Sequence, residues 1–256
     1  MGQYERHKII VDIVQQQQNV PINTLIELLN VSDETIRRDL IALEKKGQLR
    51  RVRGGAVYES PTTNAYDISD RIKKKQREKE EICREAAKLV QDGESIAIAS
   101  STTAMAMGKY LAQKTDLTVV TNSIFLANQM SSNQSNHVIL TGGTLWNEEQ
   151  HLMGTLTKLS FSQYRVDKAF ISVSGITPDD GLTEYTEEEA ELLKTVIKYS
   201  KSTILLLDYS KFNVIAFHKI ADWDEIKEVV TDSNASKKDV EAYERMGIRV
   251  HRAQRQ

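Results

Sequence analysis

Apolar side chains in the first thirty residues recur at the spacing of an amphipathic helix. The first stripe consists of Ile9, Ile10, Ile13 and Val14. Val20 and Pro21 interrupt this pattern, and Asn23 is a candidate N-cap for a short second helix. The side chains of that second helix predicted to face inward are Leu25, Ile26, Leu28 and Leu29. The pattern therefore indicates two helices before a tight turn at Asn30-Val31.

A third helix follows this turn. Ser32 is a good N-cap, and Asp33 and Glu34 in the first turn complement the helix dipole. The helix is predicted to end at Lys46-Gly47 and to bury Ile36, Leu40 and Leu43. Its opposite face then presents Thr35, Arg37, Arg38 and Ile41. Two helices joined by a short turn, the second with a basic outer face, are typical of a helix-turn-helix DNA reader. An ordinary three-helix bundle with a solvated third helix is the alternative.

Two short apolar runs come next and flank a glycine turn. The turn is Arg53-Gly54-Gly55, and its glycines permit positive backbone angles. The apolar positions around it are Leu49, Val52, Ala56 and Val57. A basic hairpin beside a recognition helix is a wing, which can contact phosphates or the minor groove. The wing favours the DNA reader over the plain bundle.

From Ser95 onward, short β-branched runs alternate with helical stretches. This alternation predicts an α/β domain with a parallel sheet covered on both faces. The predicted strands are Ser95–Ala99, Thr118–Thr121, Val138–Thr141, Lys168–Val173, Thr203–Asp208, Glu228–Thr231 and Ile248–Val250. Helical stretches between them include Thr103–Gln113, Ser123–Met130 and Glu187–Tyr199. We therefore expect two domains, residues 1–58 and 71–256.

The segment between the two domains is polar and lacks a period, so residues 59–70 are predicted to be a linker. A charged helix from about Ile72 to Val90 should follow, closed by Asp92-Gly93. Its run Lys73–Lys75 either contacts DNA or forms a solvated helix face.

Composition and charge narrow the class of protein. The 256 residues include one cysteine, which excludes internal disulfides and suits a reducing compartment. No apolar run approaches the length of a membrane span, so we expect a soluble, cytoplasmic protein. The net charge of −2 hides an asymmetry, because residues 1–79 hold 15 Lys/Arg against 11 Asp/Glu. A nucleic acid would interact with this local excess of positive charge, so the net charge of the whole chain does not exclude such a partner.

The stretch VSDETIRRDLIALEKKGQLRRVRGGAV resembles the N-terminal signature of the DeoR-type bacterial transcription regulators. The resemblance covers residues 4–58 and implies a winged helix-turn-helix ahead of a sugar-phosphate-sensing domain. Many family members have His before the wing glycines, where this chain has Arg53, which keeps a donor and adds a permanent charge. The DNA-binding residues that the resemblance and the basic pattern assign are Ser32, Thr35, Arg37, Arg38, Lys45, Arg51, Arg53, Gly54 and Gly55.

Parallel sheets bind ligands at the carboxyl ends of their strands, so the loops at those ends are candidate effector loops. The first, Ser100-Ser101-Thr102-Thr103, offers four hydroxyls at a helix start and suits a phosphate, although one hydroxyl would suffice as an N-cap. Asp208 and Lys211 in the last loop either bind ligand hydroxyls and an anion or pair with each other. The remaining candidates are Thr121, Asn122, Ser123, Gly142, Gly143, Gly175 and Glu187.

The second domain is similar to the C-terminal domain of the same family, which resembles ribose-5-phosphate isomerase in fold. The matching segments are VVTNS, the Gly-Gly after VIL, EEEAELLK and DYSKF. The family often has Asp-Ser-Gly-Thr-Thr at the first loop, where this chain has Ala99-Ser100-Ser101-Thr102-Thr103. The change removes a hydroxyl acceptor and stiffens the loop, so it bears on which sugar is preferred.

Three functions were weighed on the sequence. The first is a ligand-responsive DNA-binding regulator, of the kind that represses sugar-utilisation operons. The second is a sugar-phosphate isomerase, which needs a carboxylate base, but no spacing singles out a pair among the available groups. The third is a DNA-binding scaffold whose second domain only oligomerises. We expect the regulator, with operator DNA and a phosphorylated sugar as partners, a homo-oligomeric state, no cofactor and no metal.

Overall fold

The chain folds into two compact units, residues 1–65 and 66–256. The computed structural model describes residues 3–17, 19–45, 49–52, 54–57, 73–147 and 149–255. The segment predicted as a linker, residues 59–70, lies outside the described residues.

The first unit is a winged helix-turn-helix, as predicted. Its three strands form an antiparallel sheet in the order β1-β3-β2, with β2 and β3 as the wing hairpin. The elements are α1 (Gln3–Gln17), β1 (Asn19–Pro21), α2 (Ile22–Leu29), α3 (Asp33–Lys45), β2 (Arg50–Val52) and β3 (Gly55–Val57). Asn30 makes the turn between α2 and α3 with a left-handed backbone, φ 49°. Ile36, Leu40 and Leu43 are buried, as the period of α3 predicts.

Two details of α2 differ from the sequence prediction. The helix begins at Ile22, so Asn23 lies inside it and is not its N-cap. The reason is that Val20 and Pro21 pair with β3, which brings the chain into the helix directly from a strand. Leu28 is 58% exposed and does not face inward, whereas Leu25 and Leu29 are buried.

A buried carboxylate fastens α1 to α3. Asp39 is 1% exposed and accepts hydrogen bonds from the Arg6 guanidinium and from His7 Nε2 at 2.9 Å. Burial alone raises the pKa of Asp39, but the hydrogen bonds from Arg6 and His7 outweigh that effect and hold it below its ordinary value. Because the first unit is small, this ionic contact is an important link between the helices of the reader.

The second unit is built on a seven-stranded parallel sheet in the order β15-β14-β12-β9-β4-β5-β6. These are the seven runs predicted from the sequence, with ends that differ by a few residues. Their bounds are β4 (Ser95–Ile98), β5 (Thr118–Thr121), β6 (His137–Leu140), β9 (Val166–Ile171), β12 (Ser200–Leu207), β14 (Glu228–Thr231) and β15 (Arg249–Arg252). The fold class, a winged reader followed by an α/β domain, is therefore confirmed.

Helices cover both faces of this sheet. Successive strand residues point to opposite faces, so Ile96 and Ala97 lie in two different apolar cores. One core contains side chains of the first three helices of the unit, and the other contains those of the last three. The helices are α4 (Gln76–Ala87), α5 (Gly108–Leu111), α6 (Ile124–Met130), α7 (Thr155–Ser162), α8 (Glu187–Lys198) and α9 (Lys237–Arg245). No helix among the described residues is both long and apolar enough to cross a bilayer.

Several elements of the second unit were not predicted. Two small antiparallel sheets pair β7 (Thr144–Trp146) with β8 (His151–Met153), and β11 (Gly181–Glu184) with both β10 (Gly175–Thr177) and β13 (His218–Ala221). The described charged helix runs from Gln76 to Ala87, and Lys75 just before it has a left-handed backbone, φ 57°. Its predicted start near Ile72 lies outside the described residues. The predicted helix Thr103–Gln113 is instead a 3₁₀ turn, Ala104–Met107, followed by the four-residue α5.

Replacing Asp39 by Ala is expected to destabilise the first unit by about 1–3 kcal/mol, because it leaves the half-buried Arg6 and the buried His7 without their shared acceptor. Hydrogen exchange of α1 and α3 peptides in the full chain measures this as faster exchange. Because the Asp39 pKa is lowered in the folded state, its contribution is present at neutral pH and is lost as the pH falls through that pKa.

The matched control is Asp33→Ala on the same helix. Asp33 pairs with Arg37, but both side chains are more than half exposed, so its loss should change the exchange rates far less than the loss of Asp39. Equal effects of the two substitutions would contradict the role given to Asp39.

Candidate functional site

The outer face of α3 presents the residues predicted to read DNA. Arg37 and Arg38 are exposed, and each pairs with an acid one turn earlier, Arg37 Nε with Asp33 and Arg38 Nη2 with Glu34, both at 2.7 Å. Such exposed pairs contribute little to stability, so a phosphate or a base edge can replace the acid. Ser32 Oγ accepts the Thr35 N–H at 3.3 Å, which confirms Ser32 as the cap of α3.

The wing is joined to α3 by a single carboxylate. Glu44 accepts the Arg51 N–H at 2.8 Å and Arg51 Nε at 2.7 Å. This pairing fixes the start of β2 against the end of the recognition helix. Arg51 therefore has a structural partner in addition to the phosphate contact predicted for it.

Glycine is required at the two wing positions by different constraints, a positive φ at Gly54 and close strand packing at Gly55. Gly54 has φ +90° and open space where a side chain would begin. A Cβ on Gly55 would lie 2.3 Å from the Val20 carbonyl oxygen, so close pairing of β3 with β1 requires that glycine. Arg53 lies outside the described residues, as does the side chain of Lys45. Their DNA contacts, like those of the other predicted residues, stay predictions.

In the second unit the strand order reverses between β4 and β9. From β4 the chain continues to β5 and β6 on one side, and it later returns to β9 on the other. In open parallel sheets such a reversal leaves a crevice at the carboxyl ends of the two strands, where ligands bind. The predicted loop Ser100–Thr103 follows β4, and Ser172–Ser174, just before the predicted Gly175, follows β9, so both loops flank this crevice.

The loop after β4 keeps three hydroxyls available. The Ser101 hydroxyl accepts the Ala104 N–H at 2.9 Å. Within the described part of the chain, the side chains of Ser100, Thr102 and Thr103 make no hydrogen bond. The following helical segment is short, and the N–H groups of Ala104 and Met105 already donate to the hydroxyl and the carbonyl oxygen of Ser101. The hydroxyls, and not the helix terminus, are thus what this loop offers to an anion.

The loop after β5 shapes its neighbour. Asn122 is 1% exposed, accepts the Ser100 N–H at 2.7 Å and donates to the Leu152 carbonyl at 2.9 Å. Thr121 donates to the Ile98 carbonyl, and Ser123 caps α6 by accepting the Leu126 N–H. Of these three predicted effector residues, Asn122 holds the first loop in place, Thr121 bonds to strand β4 and Ser123 bonds to helix α6.

The loop after β6 contains a buried hydroxyl without a partner. Thr141 Oγ1 has no hydrogen bond in the described part of the chain, and Thr141 is 3% exposed. A Cβ on Gly143 would meet Thr157 Oγ1 at 2.2 Å, whereas one on Gly142 would touch only Leu156. Gly143 is therefore required by packing, and Gly142 lies on the open side of this loop.

Gly175 and Glu187, two further predicted effector residues, lie in different surroundings. Gly175 begins β10, where a Cβ would lie 2.3 Å from the Val214 carbonyl oxygen, so its place is set by packing. Glu187 is exposed in the first turn of α8, where an acid complements the helix dipole. No contact places either residue against the loop after β4. Their effector roles stay predictions.

The loop after β12 contains a buried ion pair. Asp208 is buried and pairs with Lys75 Nζ at 2.6 Å. Its pairing with Lys211 and its ligand role stay predictions. Burial raises the pKa of Asp208, but the hydrogen bonds from Lys75 and Ser210 prevail and lower it. The sequence run Lys73–Lys75 suggested either a DNA contact or a solvated face. Lys75 instead holds an ion pair within the second unit.

One buried carboxylate was not assigned to the effector site, although the sequence offered it among the groups available to an isomerase. Glu184, at the end of β11, is 7% exposed and accepts hydrogen bonds from the Ser174 hydroxyl and the Tyr185 N–H. Burial raises the Glu184 pKa, and the positive charge of Lys211 opposes that rise. No spacing in the sequence distinguished Glu184 from the other acids. No group of metal-binding side chains occurs among the described residues.

A winged reader and a parallel-sheet domain with a polar crevice define the class: a helix-turn-helix transcription regulator with a sensor domain. Comparison with known families agrees. Residues 6–62 match the DeoR-like helix-turn-helix domain, and residues 74–233 match the DeoR C-terminal sensor domain. The chain belongs to the DeoR family.

Curated relatives match over nearly the whole chain. The uncharacterized HTH-type transcriptional regulator YulB of Bacillus subtilis is 36% identical, over 96% of this chain and 95% of that protein. The transcriptional repressor GlcR of Bacillus subtilis is 35% identical, over 97% and 95%. The glycerol-3-phosphate regulon repressor of Escherichia coli is 32% identical, over 91% and 92%. These relatives are named as regulators and repressors, not as enzymes, and the isomerase alternative is set aside.

Among solved structures, ribose 5-phosphate isomerase A of Methanocaldococcus jannaschii is similar over 52% of this chain and 53% of that one. The TM-score is 0.38 and the identity 18%. The similarity concerns part of the fold alone.

Replacing Arg37 and Arg38 together by Ala is expected to remove specific operator binding and to leave the fold intact, because both side chains are exposed. Each lost phosphate contact should flatten the dependence of log K on log salt by about one unit. Fluorescence anisotropy with a duplex that the wild-type protein selects from a random library measures both quantities.

Arg245→Ala is the matched control, since Arg245 also pairs with an acid one turn earlier on an exposed helix, α9. It should leave affinity and slope unchanged. Wild-type affinity in the double variant would refute the assignment of α3 as recognition helix.

Proposed function

We propose that this protein is a repressor of a sugar-utilisation operon whose affinity for operator DNA is set by a phosphorylated sugar. The observation that carries the proposal is the set of three available hydroxyls, on Ser100, Thr102 and Thr103, beside the point where the strand order reverses. The DeoR sensor domain and the names of the relatives, among them a glycerol-3-phosphate regulon repressor, support the same reading. A protein that acts on such an operator works in the cytoplasm.

The chemistry of the crevice suits a phosphate ester of a polyol. Hydroxyl donors on the loop after β4 match phosphate oxygens, which accept several hydrogen bonds. Buried polar groups around the crevice, such as Thr141 Oγ1 and the carboxylate of Glu184, match sugar hydroxyls. The family's acid at position 99 is an alanine here, so in this chain another carboxylate must accept from the sugar. Glu184 is one buried candidate, and Asp208 is another.

The regulator is proposed to work as a homo-oligomer held together through residues 71–256. A single winged reader makes few base contacts, and operators for such readers are commonly palindromic, which matches twofold protein symmetry. Paired readers therefore need an interface in the second unit.

An exposed apolar patch is the surface we assign to that interface. The β6–α7 patch consists of Leu140, Leu145, Trp146, Leu156 and Leu159, which are 39% to 62% exposed. Its parts are joined, because Gly142 accepts from Thr157 Oγ1 and donates to Ser160 Oγ. Strand β6 is also the edge of the sheet, with one pairing partner among the described strands. Apolar patches of several hundred Å² on soluble proteins mark interaction sites.

The sequence around the patch favours a second copy of this chain as the occupant. Residues 137–164 contain three charged residues, Glu148, Glu149 and Lys158, in a chain that is 27% charged. Interface cores are depleted of charge. A twofold interface apposes a patch to itself, and an uncharged apolar surface is self-complementary without like-charge repulsion.

Replacing Thr102 and Thr103 by Val keeps their shape and removes two donors. Each lost hydrogen bond to a charged phosphate should cost roughly 1.5–3 kcal/mol of ligand binding. The measurement is the operator response in anisotropy, titrated with glycerol 3-phosphate, fructose 1-phosphate and glucose 6-phosphate. The variant should bind operator normally without ligand and require higher ligand concentrations to respond.

Thr195→Val on α8 is the control, because its hydroxyl bonds within its own helix. An unchanged response midpoint in the double variant would remove the loop after β4 from the effector site. Wild-type protein that binds operator and responds to no phosphate ester would instead favour the scaffold function.

Replacing Leu156 and Leu159 together by Asp should dissociate the oligomer, since it places buried charge at the centre of the assigned interface. Light scattering at micromolar concentration measures the mass. Phe217→Asp is the matched control, because Phe217 is 86% exposed and lies outside the patch. A wild-type monomer with full operator affinity would contradict oligomerisation itself. Dissociation by Phe217→Asp alone would move the interface elsewhere.

A further inference from the structure

Helix α4 follows the segment predicted as a linker and contacts two of the strand-end loops, and Lys75, just before it, contacts a third. Glu81 accepts the Ser233 N–H at 3.0 Å, and Glu78 accepts Asn234 Nδ2 at 3.0 Å, both in the loop after β14. Cys83 Sγ donates to the Thr103 carbonyl at 2.9 Å, in the loop after β4. One helix is thus bonded to loops on both sides of the crevice.

The residue just before α4 carries the strongest of these contacts. Lys75 Nζ pairs with Asp208 at 2.6 Å, bonds to the Ser210 hydroxyl and lies 4.6 Å from the centre of the Tyr209 ring. The pair is sheltered, since the side chains are 18% and 6% exposed. A sheltered ion pair with a further hydrogen bond holds more firmly than an exposed one. The left-handed backbone at Lys75 turns the incoming chain toward this loop.

Two of the contacted loops contain predicted effector residues, Thr103 after β4 and Asp208 after β12. A ligand that binds these loops must change their hydrogen bonds, and α4 is bonded to those same loops. An effect on DNA affinity requires an element with two arrangements that the ligand favours unequally. Helix α4 is held in the apolar core by Ile82 and Ala86, and its hydrogen bonds to the loops are the contacts that a bound ligand can change. We expect the two arrangements to differ in these polar contacts.

We propose that Lys75 and Glu81 are positioning residues that couple the effector loops to α4, and through it to the chain leading to the DNA reader. This inference rests on the proposed function. In the absence of ligand, Lys75 fastens the start of α4 to the loop after β12, and Glu81 fastens its middle to the loop after β14. A phosphate ester bound at the loop after β4 shifts these contacts and so releases or redirects α4.

The single cysteine of the chain reports directly on this contact. Cys83 is fully buried, and burial raises the pKa of its thiol, so labelling requires α4 to separate from the loop. Lys75→Met removes the charge and keeps the length of the side chain. Lys73→Met, two residues earlier at an exposed position, is the matched control.

In the full-length protein without ligand, Lys75→Met should speed labelling of Cys83 by Ellman's reagent roughly 10- to 100-fold, the range for a lost charged hydrogen bond. Lys73→Met should label at the wild-type rate. Glu81→Gln, which keeps an acceptor for the Ser233 N–H and loses the charge, should give a smaller acceleration. Equal rates in the wild type, Lys75→Met and Glu81→Gln would overturn the proposal.

The second measurement is the ratio of operator Kd with and without the most effective of the three phosphate esters above. Allosteric coupling typically gives a ratio of about 5- to 150-fold. In Lys75→Met the ratio should fall to within about twofold of one, whereas Lys73→Met should keep the wild-type ratio to that accuracy. A full ratio in Lys75→Met would overturn the coupling while leaving the proposed function intact.

If the operator affinity of the wild-type protein did not change with any phosphate ester, the proposed function would be contradicted. The labelling rates would still decide whether Lys75 holds α4 in place. Should Lys75→Met fail to fold, Glu81→Gln carries both measurements, since the carboxamide retains the shape of the side chain.

Discussion

The parallel sheet imposes the constraint on which the sensor domain depends. Every strand of such a sheet delivers its following loop to the same edge, so loops far apart in sequence meet in space. The loops after β4, β5, β12 and β14 are joined by Asn122, Lys75 and Glu81 for this reason. The reversal of strand order at β4 then opens a crevice in that edge. Ligand binding and its transmission both use polar groups that the topology has already brought together.

Much of this arrangement could be predicted from the sequence. Continuous apolar runs gave all seven strands of the sheet, and helical spacing gave the recognition helix with Ser32 as its cap, because these patterns follow from local geometry. The hydroxyls of Ser100, Thr102 and Thr103 were predicted from the same logic, as strand-end residues. Periodicity also indicated the exposed face of Arg37 and Arg38.

The rest depends on partners that are distant in sequence. Lys75 looked like one cation of a charged run, and only the fold brings it to Asp208, 133 residues later. Strand β1 is three residues long and exists because β3 pairs with it, and Leu28 has a core-like spacing on a face that nothing covers. The short strands β10, β11 and β13 likewise gain their hydrogen bonds from one another. Local propensity carries no signal for such contacts.

Under the proposed mechanism, the charges on the reader would let regulation through a helix such as α4 need little energy. Asp33 and Glu34 lie one turn before Arg37 and Arg38, so a phosphate that displaces these acids stays close to their negative charge. We expect each reader to bind DNA with modest strength, so that firm operator binding by the proposed oligomer would need two readers held at the spacing of the half-sites. The second binding event would then depend on effective concentration, which falls steeply when the geometry no longer fits. A small displacement at the start of the sensor domain would therefore be enough to lose the second reader from the complex.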